Sequence, residues 1–157
     1  MKTYNEVKLA QELIRFPTIT EDKGIMRYIS KKLTSIGFKC KIIKSKGLDS
    51  SKPALNLYAR YGNSRPALLA VSHSDVVANI KGWKYPPFSA KIKKGYIYGR
   101  GAQDLKGNLA CWISAVSKFI KDKKFKGSLS LIVAADEETS AMGTPACLRY
   151  LKKNKEN

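Results

Sequence analysis

Two short apolar runs constrain the fold of this 157-residue chain more than any other feature. They span residues 67–71 and 129–135, and each is followed at once by polar residues. Continuous apolar runs of this length are typical of strands that are buried on both faces of a sheet. We therefore expect both runs to form buried strands, with the run at 67–71 in a central position.

The segments around these runs alternate between helical and extended patterns. Apolar residues recur at helical spacing over residues 3–15, again up to Gly37, and from about Lys106 to Ile120, and Gly143 opens a last helix. Strands are expected at 38–42, 54–61 and 96–98, and a turn-like linker at 47–53. Helices that alternate with buried strands predict a three-layer α/β fold.

Three of the predicted strands are followed by side chains that can bind metal. These are His73 with Asp75, then Asp104 within a glycine-bracketed stretch at 99–107, and finally Glu137 with Glu138. Ligands of α/β sheets usually bind at the carboxyl ends of the strands. We therefore expect the three stretches to converge on metal.

His73 is the single histidine of the chain, and Asp75 follows it by two residues. Side chains at positions i and i+2 of an extended backbone point the same way, so Asp75 can reach the imidazole. A carboxylate on one ring nitrogen leaves the other nitrogen free to bind zinc. A lone histidine is, by itself, more often a satisfied polar residue than a ligand.

The other acidic residues also have simpler interpretations. Asp104 could be the N-cap of the helix that begins near Lys106, a role that is compatible with metal binding. Glu137 and Glu138 could form a solvated loop, although adjacent carboxylates repel each other. If a metal binds one of the pair, the other can act as a general base.

Composition narrows the remaining function classes. Lys and Arg number 30 against 12 Asp and Glu, a net charge of +18 that would permit binding to nucleic acid or anionic membranes. The lysines are scattered and no nucleic-acid-binding signature accompanies them, so a solvated basic surface is favoured. Three dispersed cysteines indicate no disulfide framework and suit a reducing cytoplasm, and no apolar run is long enough for a membrane span.

The motifs as a set resemble those of the co-catalytic zinc amidohydrolase and peptidase family. They are the stretches at 72–77, 98–107 and 136–138, with Trp83 and Pro87-Phe88 between the first two. The resemblance implies the catalytic domain of that family, a three-layer α/β/α fold. It implies two zinc ions, or cobalt in their place. It also implies site roles: His73 and Glu138 each ligate one metal, Asp104 bridges both, Asp75 orients His73, and Glu137 is the general base.

Residues 56–60 and 143–144 are most similar to the desuccinylase branch of that family. That similarity implies hydrolysis of N-succinyl-LL-diaminopimelate, a small acidic N-acyl amino acid, to succinate and LL-diaminopimelate in lysine and diaminopimelate biosynthesis. An amidohydrolase of the acetylornithine deacetylase or carboxypeptidase type stays open.

The family pattern also includes ligands that this sequence does not show. Family members have a further acidic ligand, a late histidine ligand, and a lid and dimerisation domain, whereas no histidine follows His73 here. We expect residues 1–157 to form the N-terminal part of the catalytic domain without a second domain. We expect the isolated chain to be inactive unless a complementing C-terminal chain supplies the rest. A non-enzymatic remnant that binds metal weakly is the alternative; complete family members are homodimers.

Overall fold

The computed structural model describes residues 2–19, 21–47, 53–78, 81–122 and 125–154. Its helices are α1 (Glu6–Ile14), α2 (Ile25–Thr34), α3 (Gly107–Phe119) and α4 (Gly143–Lys153). Its strands are β1 (Lys39–Ser45), β2 (Ala54–Tyr61), β3 (Ala67–His73), β4 (Lys91–Lys93), β5 (Tyr96–Tyr98) and β6 (Ser128–Ala134). A π-helical turn, Ala102–Lys106, precedes α3, and a 3-10 turn, Ile120–Asp122, follows it. Most of the linker expected at 47–53 lies outside the described residues.

A four-stranded sheet in the order β1-β2-β6-β3 forms the middle layer. β1, β2 and β6 pair antiparallel, whereas β3 and β6 pair parallel. Apolar residues of α1, α2 and α3 cover one face of the sheet, where they form the larger core. α4 covers the other face, where Cys147 packs near Tyr58 and Ile132. The predicted three-layer α/β fold is confirmed.

The two apolar runs differ in burial. β6 is buried at all seven positions, as expected for a strand with neighbours on both sides and helices on both faces. The expectation that residues 67–71 form a central strand is wrong for the described part of the chain. β3 pairs there with β6 alone, and Leu68, Leu69 and Val71 are exposed.

The expected strand at 96–98 is present, but it lies outside the main sheet. β5 pairs with β4 in a separate two-stranded hairpin, and its side chains are mostly exposed. The expectation that each of the three polar stretches follows a buried strand is therefore wrong for Asp104, because the strand before it lies outside the main sheet and is mostly exposed. Asp104 reaches the sheet edge through the loop that connects β5 to α3.

Local capping explains where the first two helices begin. The Asn5 side chain accepts a hydrogen bond from the Lys8 amide at 2.9 Å, which satisfies one free amide in the first turn of α1. Asp22 accepts from the amides of Gly24 and Met26, both at 2.9 Å, at the start of α2. All three cysteines are free thiols. None of the described helices has the length and apolarity required to cross a bilayer.

Candidate metal centre

The parallel pairing of β3 with β6 brings their carboxyl ends to one edge of the sheet. His73 is in register with Ala134, and the Ser74 amide donates to the Ala134 carbonyl at 3.1 Å. Because both strands end here, the loop that carries Glu137 and Glu138 begins beside His73. The His73 stretch and the Glu137-Glu138 stretch are therefore adjacent, as expected for residues at the carboxyl ends of neighbouring parallel strands.

The third stretch reaches the same place through a glycine-dependent loop. Gly101 has φ +75°, and a Cβ on it would lie 2.6 Å from Val76 Cγ1. A Cβ on Gly107 would lie 2.2 Å from the Ala102 carbonyl oxygen. Neither position can accept a larger residue without displacement of the loop. The glycines therefore fix the backbone on both sides of Asp104.

Asp104 departs from the helical conformation of its neighbours. Its φ of −119° and ψ of 97° are extended, and the peptide bond that follows it is cis. Its side chain does not cap α3: the N-cap residue of this helix is Lys106, and no side-chain hydrogen bond caps its first turn. The N-cap interpretation of Asp104 is therefore wrong, and its carboxylate faces His73 instead.

His73, Asp104 and Glu138 form one compact group of potential ligands. One donor atom from each residue lies within 4.8 Å of the other two, and His73 Nε2 is 3.0 Å from Asp104 Oδ1. His73 is buried, Glu138 is half-buried, and the Asp104 side chain is 71% exposed. An imidazole nitrogen and two carboxylates are a donor set that suits a divalent metal.

Asp75 lies behind His73 and also contacts the Glu-Glu loop. The imidazole Nδ1 donates to the Asp75 backbone carbonyl at 3.2 Å and is 3.4 Å from the carboxylate oxygen Oδ1. The other carboxylate oxygen accepts from the Glu138 amide at 2.9 Å. Oδ1 is buried and has no hydrogen bond among the described residues. Asp75 thus holds two of the three stretches in place and leaves Nε2 facing Asp104.

The carboxylates make this site favourable for positive charge. Burial lowers the pKa of His73, but Asp75 and Asp104 raise it by more, to about 9. Burial and the negative charge of Asp104 raise the pKa of Glu138. Carboxylates this close repel one another unless a cation lies between them. The residues present therefore fit a divalent metal ion in both donor type and charge.

Glu137 lies next to this group but does not belong to it. Its carboxylate oxygen Oε2 is 3.8 Å from His73 Nε2, and its side chain is 53% exposed. The side chain is therefore accessible to a water molecule and to a substrate at the rim of the site. Its role as general base stays a prediction.

Two further residues that the sequence reasoning did not single out support the site from the α1 side. Lys106 is fully buried, and its Nζ donates to the Phe16 carbonyl at 2.6 Å. Burial lowers the pKa of Lys106 to about 8, with Asp75 opposing the change. Thr18 donates from its hydroxyl to the Ser74 carbonyl at 2.6 Å and accepts from the Val76 amide through its own carbonyl. Both residues tie the loop after α1 to the segments that carry the ligands.

Asn56 and Asp136 support the site from the α4 side. Asn56 is fully buried; it donates to the Ile43 carbonyl at 3.1 Å and accepts from the Ala135 amide at 2.8 Å. Asp136 has φ +59°, and its carboxylate accepts from the Ser140 hydroxyl and the Gly143 amide. A polar residue within the apolar strand 54–61 is the signal that could have identified Asn56.

The fold and the residues together define a class: α/β proteins with a His–Asp–carboxylate group, suited to a divalent metal, at the carboxyl edge of a sheet. The sequence profile of Peptidase family M20/M25/M40 matches residues 69–157, more than half of the chain. The chain belongs to this peptidase family, which agrees with the family resemblance of its motifs.

Individual relatives are similar over nearly the whole chain. The succinyl-diaminopimelate desuccinylase of Pelagibacter ubique is 51% identical over 161 residues, which cover 99% of this chain and 42% of the relative. The protein of the same name from Ehrlichia canis is 39% identical over 153 residues, covering 94% of this chain and 40% of that protein. This chain therefore spans about two fifths of the length of these relatives.

Solved structures show the same fold. The M20 metallo-carboxypeptidase Sso-CP2 of Sulfolobus solfataricus superposes with a TM-score of 0.79 at 28% identity, over 97% of this chain and 35% of that one. Human carnosine dipeptidase 1 gives a TM-score of 0.78 at 23% identity over the same shares. At that identity the second likeness establishes the fold alone.

Proposed function

We propose that this chain contributes the His73–Asp104–Glu138 site of a zinc-dependent hydrolase that cleaves N-succinyl-LL-diaminopimelate to succinate and LL-diaminopimelate. The observation that carries the proposal is the convergence of three donor atoms within 4.8 Å at the sheet edge. The relatives named succinyl-diaminopimelate desuccinylase supply the substrate class. This would place the protein in lysine biosynthesis, in the cytoplasm.

The residues present divide the chemistry between them. His73 Nε2 and the carboxylates of Asp104 and Glu138 would hold zinc, with Asp104 shared between two ions. Zinc in such a site supplies Lewis-acid polarisation of the amide carbonyl and stabilises negative charge in the transition state. Asp75 fixes the orientation of the His73 ring through its contacts with Nδ1.

Glu137 would move the proton that amide hydrolysis requires, a role that its exposed side chain beside His73 supports. Its exposed carboxylate would accept a proton from the attacking water and deliver it to the amine nitrogen as the C–N bond breaks. The backbone amide of its neighbour Glu138 donates a hydrogen bond to the Asp75 carboxylate. The two adjacent carboxylates therefore have different surroundings and would have different roles. Adjacent acidic residues with different surroundings are suited to this division of roles.

The group of three donors is a partial set for a two-zinc site, because each ion in a catalytic site usually takes three protein ligands. We therefore expect the 157-residue chain alone, with zinc added, to hydrolyse N-succinyl-LL-diaminopimelate negligibly. Robust turnover by the purified chain would contradict this. Activity is expected when the unmatched part of the Pelagibacter ubique relative is co-expressed with it.

The assay is release of the free amine from N-succinyl-LL-diaminopimelate by the co-expressed pair. Glu137→Gln should abolish turnover and leave zinc binding intact, whereas Glu138→Gln should weaken both. N-acetylornithine and a dipeptide serve as competing substrates. Faster hydrolysis of N-acetylornithine or of the dipeptide would contradict the desuccinylase assignment and favour a deacetylase or a carboxypeptidase reaction. Full activity of Glu137→Gln would exclude Glu137 as the general base.

A further inference from the structure

A cavity of about 370 Å³ lies at the same edge of the sheet as the metal site, beside that site rather than within it. Its described wall comes from the loop between α1 and α2, the residues that flank the β1–β2 connection, and the loops that follow β3 and β6. None of the three donor residues belongs to that wall. Small-molecule sites usually have volumes of about 300–1,000 Å³. The cavity is therefore large enough for a ligand of its own.

The described wall of this cavity is acidic, although the chain is strongly basic. It has four acidic residues against one lysine, a formal charge of −3, whereas the whole chain carries +18. The charged residues are Glu21, Asp22, Lys23, Asp75 and Asp136. Lys23 pairs with Glu21 at 2.7 Å, and both side chains are more than two fifths exposed, so this pair lies at the mouth. A concave surface with one sign of charge attracts ions of the opposite sign, so the interior favours a cation.

Asp75 contributes a buried hydrogen-bond acceptor to this wall. The residue is 9% exposed, and its carboxylate oxygen Oδ1 makes no hydrogen bond in the described part of the chain. His73 Nδ1 is 3.4 Å away but donates to the Asp75 backbone carbonyl instead. A buried carboxylate oxygen without a donor is unfavourable, and an N–H donor from a ligand would relieve this. Oδ1 therefore has unused capacity to accept a hydrogen bond.

The cation that fits this wall is organic rather than a second metal ion. A metal ion needs donor atoms that converge on one point, and the described residues provide one such group, which lies outside this wall. Much of the remaining wall is apolar: Ile19, Pro53, Ala54, Leu55 and Ala135. An apolar lining with a few polar groups is typical of a site for a small organic molecule. A protonated aliphatic amine combines a positive charge, N–H donors and an apolar body.

We propose that this cavity binds a small aliphatic amine in its protonated form, and that the bound amine weakens metal binding at the adjacent site. The ammonium group lies at Asp75, and the alkyl chain lies along Ile19 and Leu55.

Asp75 is the connection between the two sites. It orients His73 and accepts from the Glu138 amide, so a cation on this carboxylate acts on two of the three donors. An ammonium group and a metal ion that are both close to Asp75 also repel each other. The coupling is reciprocal, so the metal must weaken amine binding by the same factor. The coupling rests on the proposed metal site, whereas the binding of the amine does not.

The experiment is a calorimetric titration of the unsubstituted chain with hexylamine in metal-free buffer near neutral pH. 1-Hexanol and hexanoate are the matched controls, because they have the same alkyl chain with no charge and with a negative charge. We expect saturable binding of one hexylamine per chain. Both controls should bind at least roughly tenfold more weakly, because they lack the charged N–H donors.

Two substitutions separate the shape of the cavity from its charge. Ala54→Leu places a larger side chain in the wall and should abolish hexylamine binding, whereas Ala67→Leu, at an exposed position outside the wall, should have no effect. Glu21→Gln removes a negative charge at the mouth and should weaken binding by roughly two- to fivefold. Its control is Glu6→Gln, on α1 and outside the wall. If Ala54→Leu does not fold, the Glu21→Gln comparison carries the test.

Zinc titrations with and without saturating hexylamine measure the coupling. Hexylamine should lower the zinc affinity of the unsubstituted chain by roughly fivefold or more, and saturating zinc should lower the hexylamine affinity by the same factor. Ala54→Leu should bind zinc equally in both conditions. That comparison separates binding in the cavity from complexes of zinc with hexylamine in solution.

Four results would count against the proposal. Absence of saturable hexylamine binding would exclude the amine site, and equal binding of hexylamine and 1-hexanol would exclude recognition of the charge. Hexylamine binding that is unchanged in a folded Ala54→Leu variant would place the amine outside this cavity. Binding of hexylamine without a change in zinc affinity would exclude the coupling through Asp75. None of these results depends on turnover, so each is distinguishable from failure of the proposed hydrolysis.

Discussion

Replacement of Asn56 by alanine tests the support of the metal-site loop most clearly. Asn56 is fully buried and makes three side-chain hydrogen bonds: to the Ile43 carbonyl at 3.1 Å, the Ser45 hydroxyl at 3.0 Å and the Ala135 amide at 2.8 Å. Ala135 directly precedes the acidic loop, so Asn56 connects β1 and β2 to the segment that carries Glu138.

The magnitude follows from the groups that lose their partners. Each buried polar group left without a hydrogen bond costs about 1–3 kcal/mol, so loss of the Asn56 partner of both the Ile43 carbonyl and the Ala135 amide should destabilise the fold by about 2–6 kcal/mol. At about 2–4 °C per kcal/mol for a domain of this size, the midpoint of thermal unfolding should fall by roughly 4–24 °C.

Urea unfolding in metal-free buffer measures the change in free energy, with Asn108→Ala as the matched control. Asn108 is exposed and makes one side-chain hydrogen bond, to the Gln103 carbonyl at 3.2 Å. Its replacement should change the free energy of unfolding by no more than about 0.5 kcal/mol. Equal effects of the two substitutions would refute the assignment of Asn56 as a buried connector of the loop.

Two further predictions concern groups away from the site. Burial raises the pKa of Cys147 to about 11, so a thiol reagent at about pH 8 should label the exposed Cys111 and spare Cys147 until the chain unfolds. Equal labelling rates in the folded chain would contradict this. Burial raises the pKa of Glu12, but the hydrogen bonds from Tyr28 and Lys32 and the charge of Lys32 lower it by more, so the net shift is downward from its ordinary value of 4.5. Glu12 should therefore stabilise the fold above its ordinary pKa of 4.5 and lose this effect as the pH falls through its lowered folded pKa, so Glu12→Gln should destabilise at about pH 7 and progressively less as the pH falls below 4.5 in urea unfolding. A difference that does not change with pH would argue against the Glu12 contacts.

The sequence predicts the layers of this fold but not the edges of its sheet. The runs at 67–71 and 129–135 look alike, because both are short and apolar. Their burial differs since β6 has strands on both sides, whereas β3 has one neighbour among the described residues. Strand order depends on contacts between distant segments, which a local pattern does not encode.

The site shows the same division between local and long-range information. His73 and the Glu-Glu pair could be placed together from strand direction, since their strands are parallel. Asp104 could not, because β5 belongs to a separate hairpin and the loop geometry comes from Gly101 and Gly107. Burial of Lys106 was also unpredictable, because it requires the carbonyl of Phe16, 90 positions earlier in the chain, as a partner.

Zinc titration of the chain by calorimetry tests the central claim most directly. The unsubstituted chain should bind zinc weakly, because the described group offers three donors from His73, Asp104 and Glu138. His73→Ala and Glu138→Gln should each weaken binding by at least roughly tenfold, because each removes a ligand. Glu6→Gln, which changes an acidic residue of α1 paired with Lys118, should have no effect. Equal zinc affinity in His73→Ala and the unsubstituted chain would contradict the assignment of this group as the metal site.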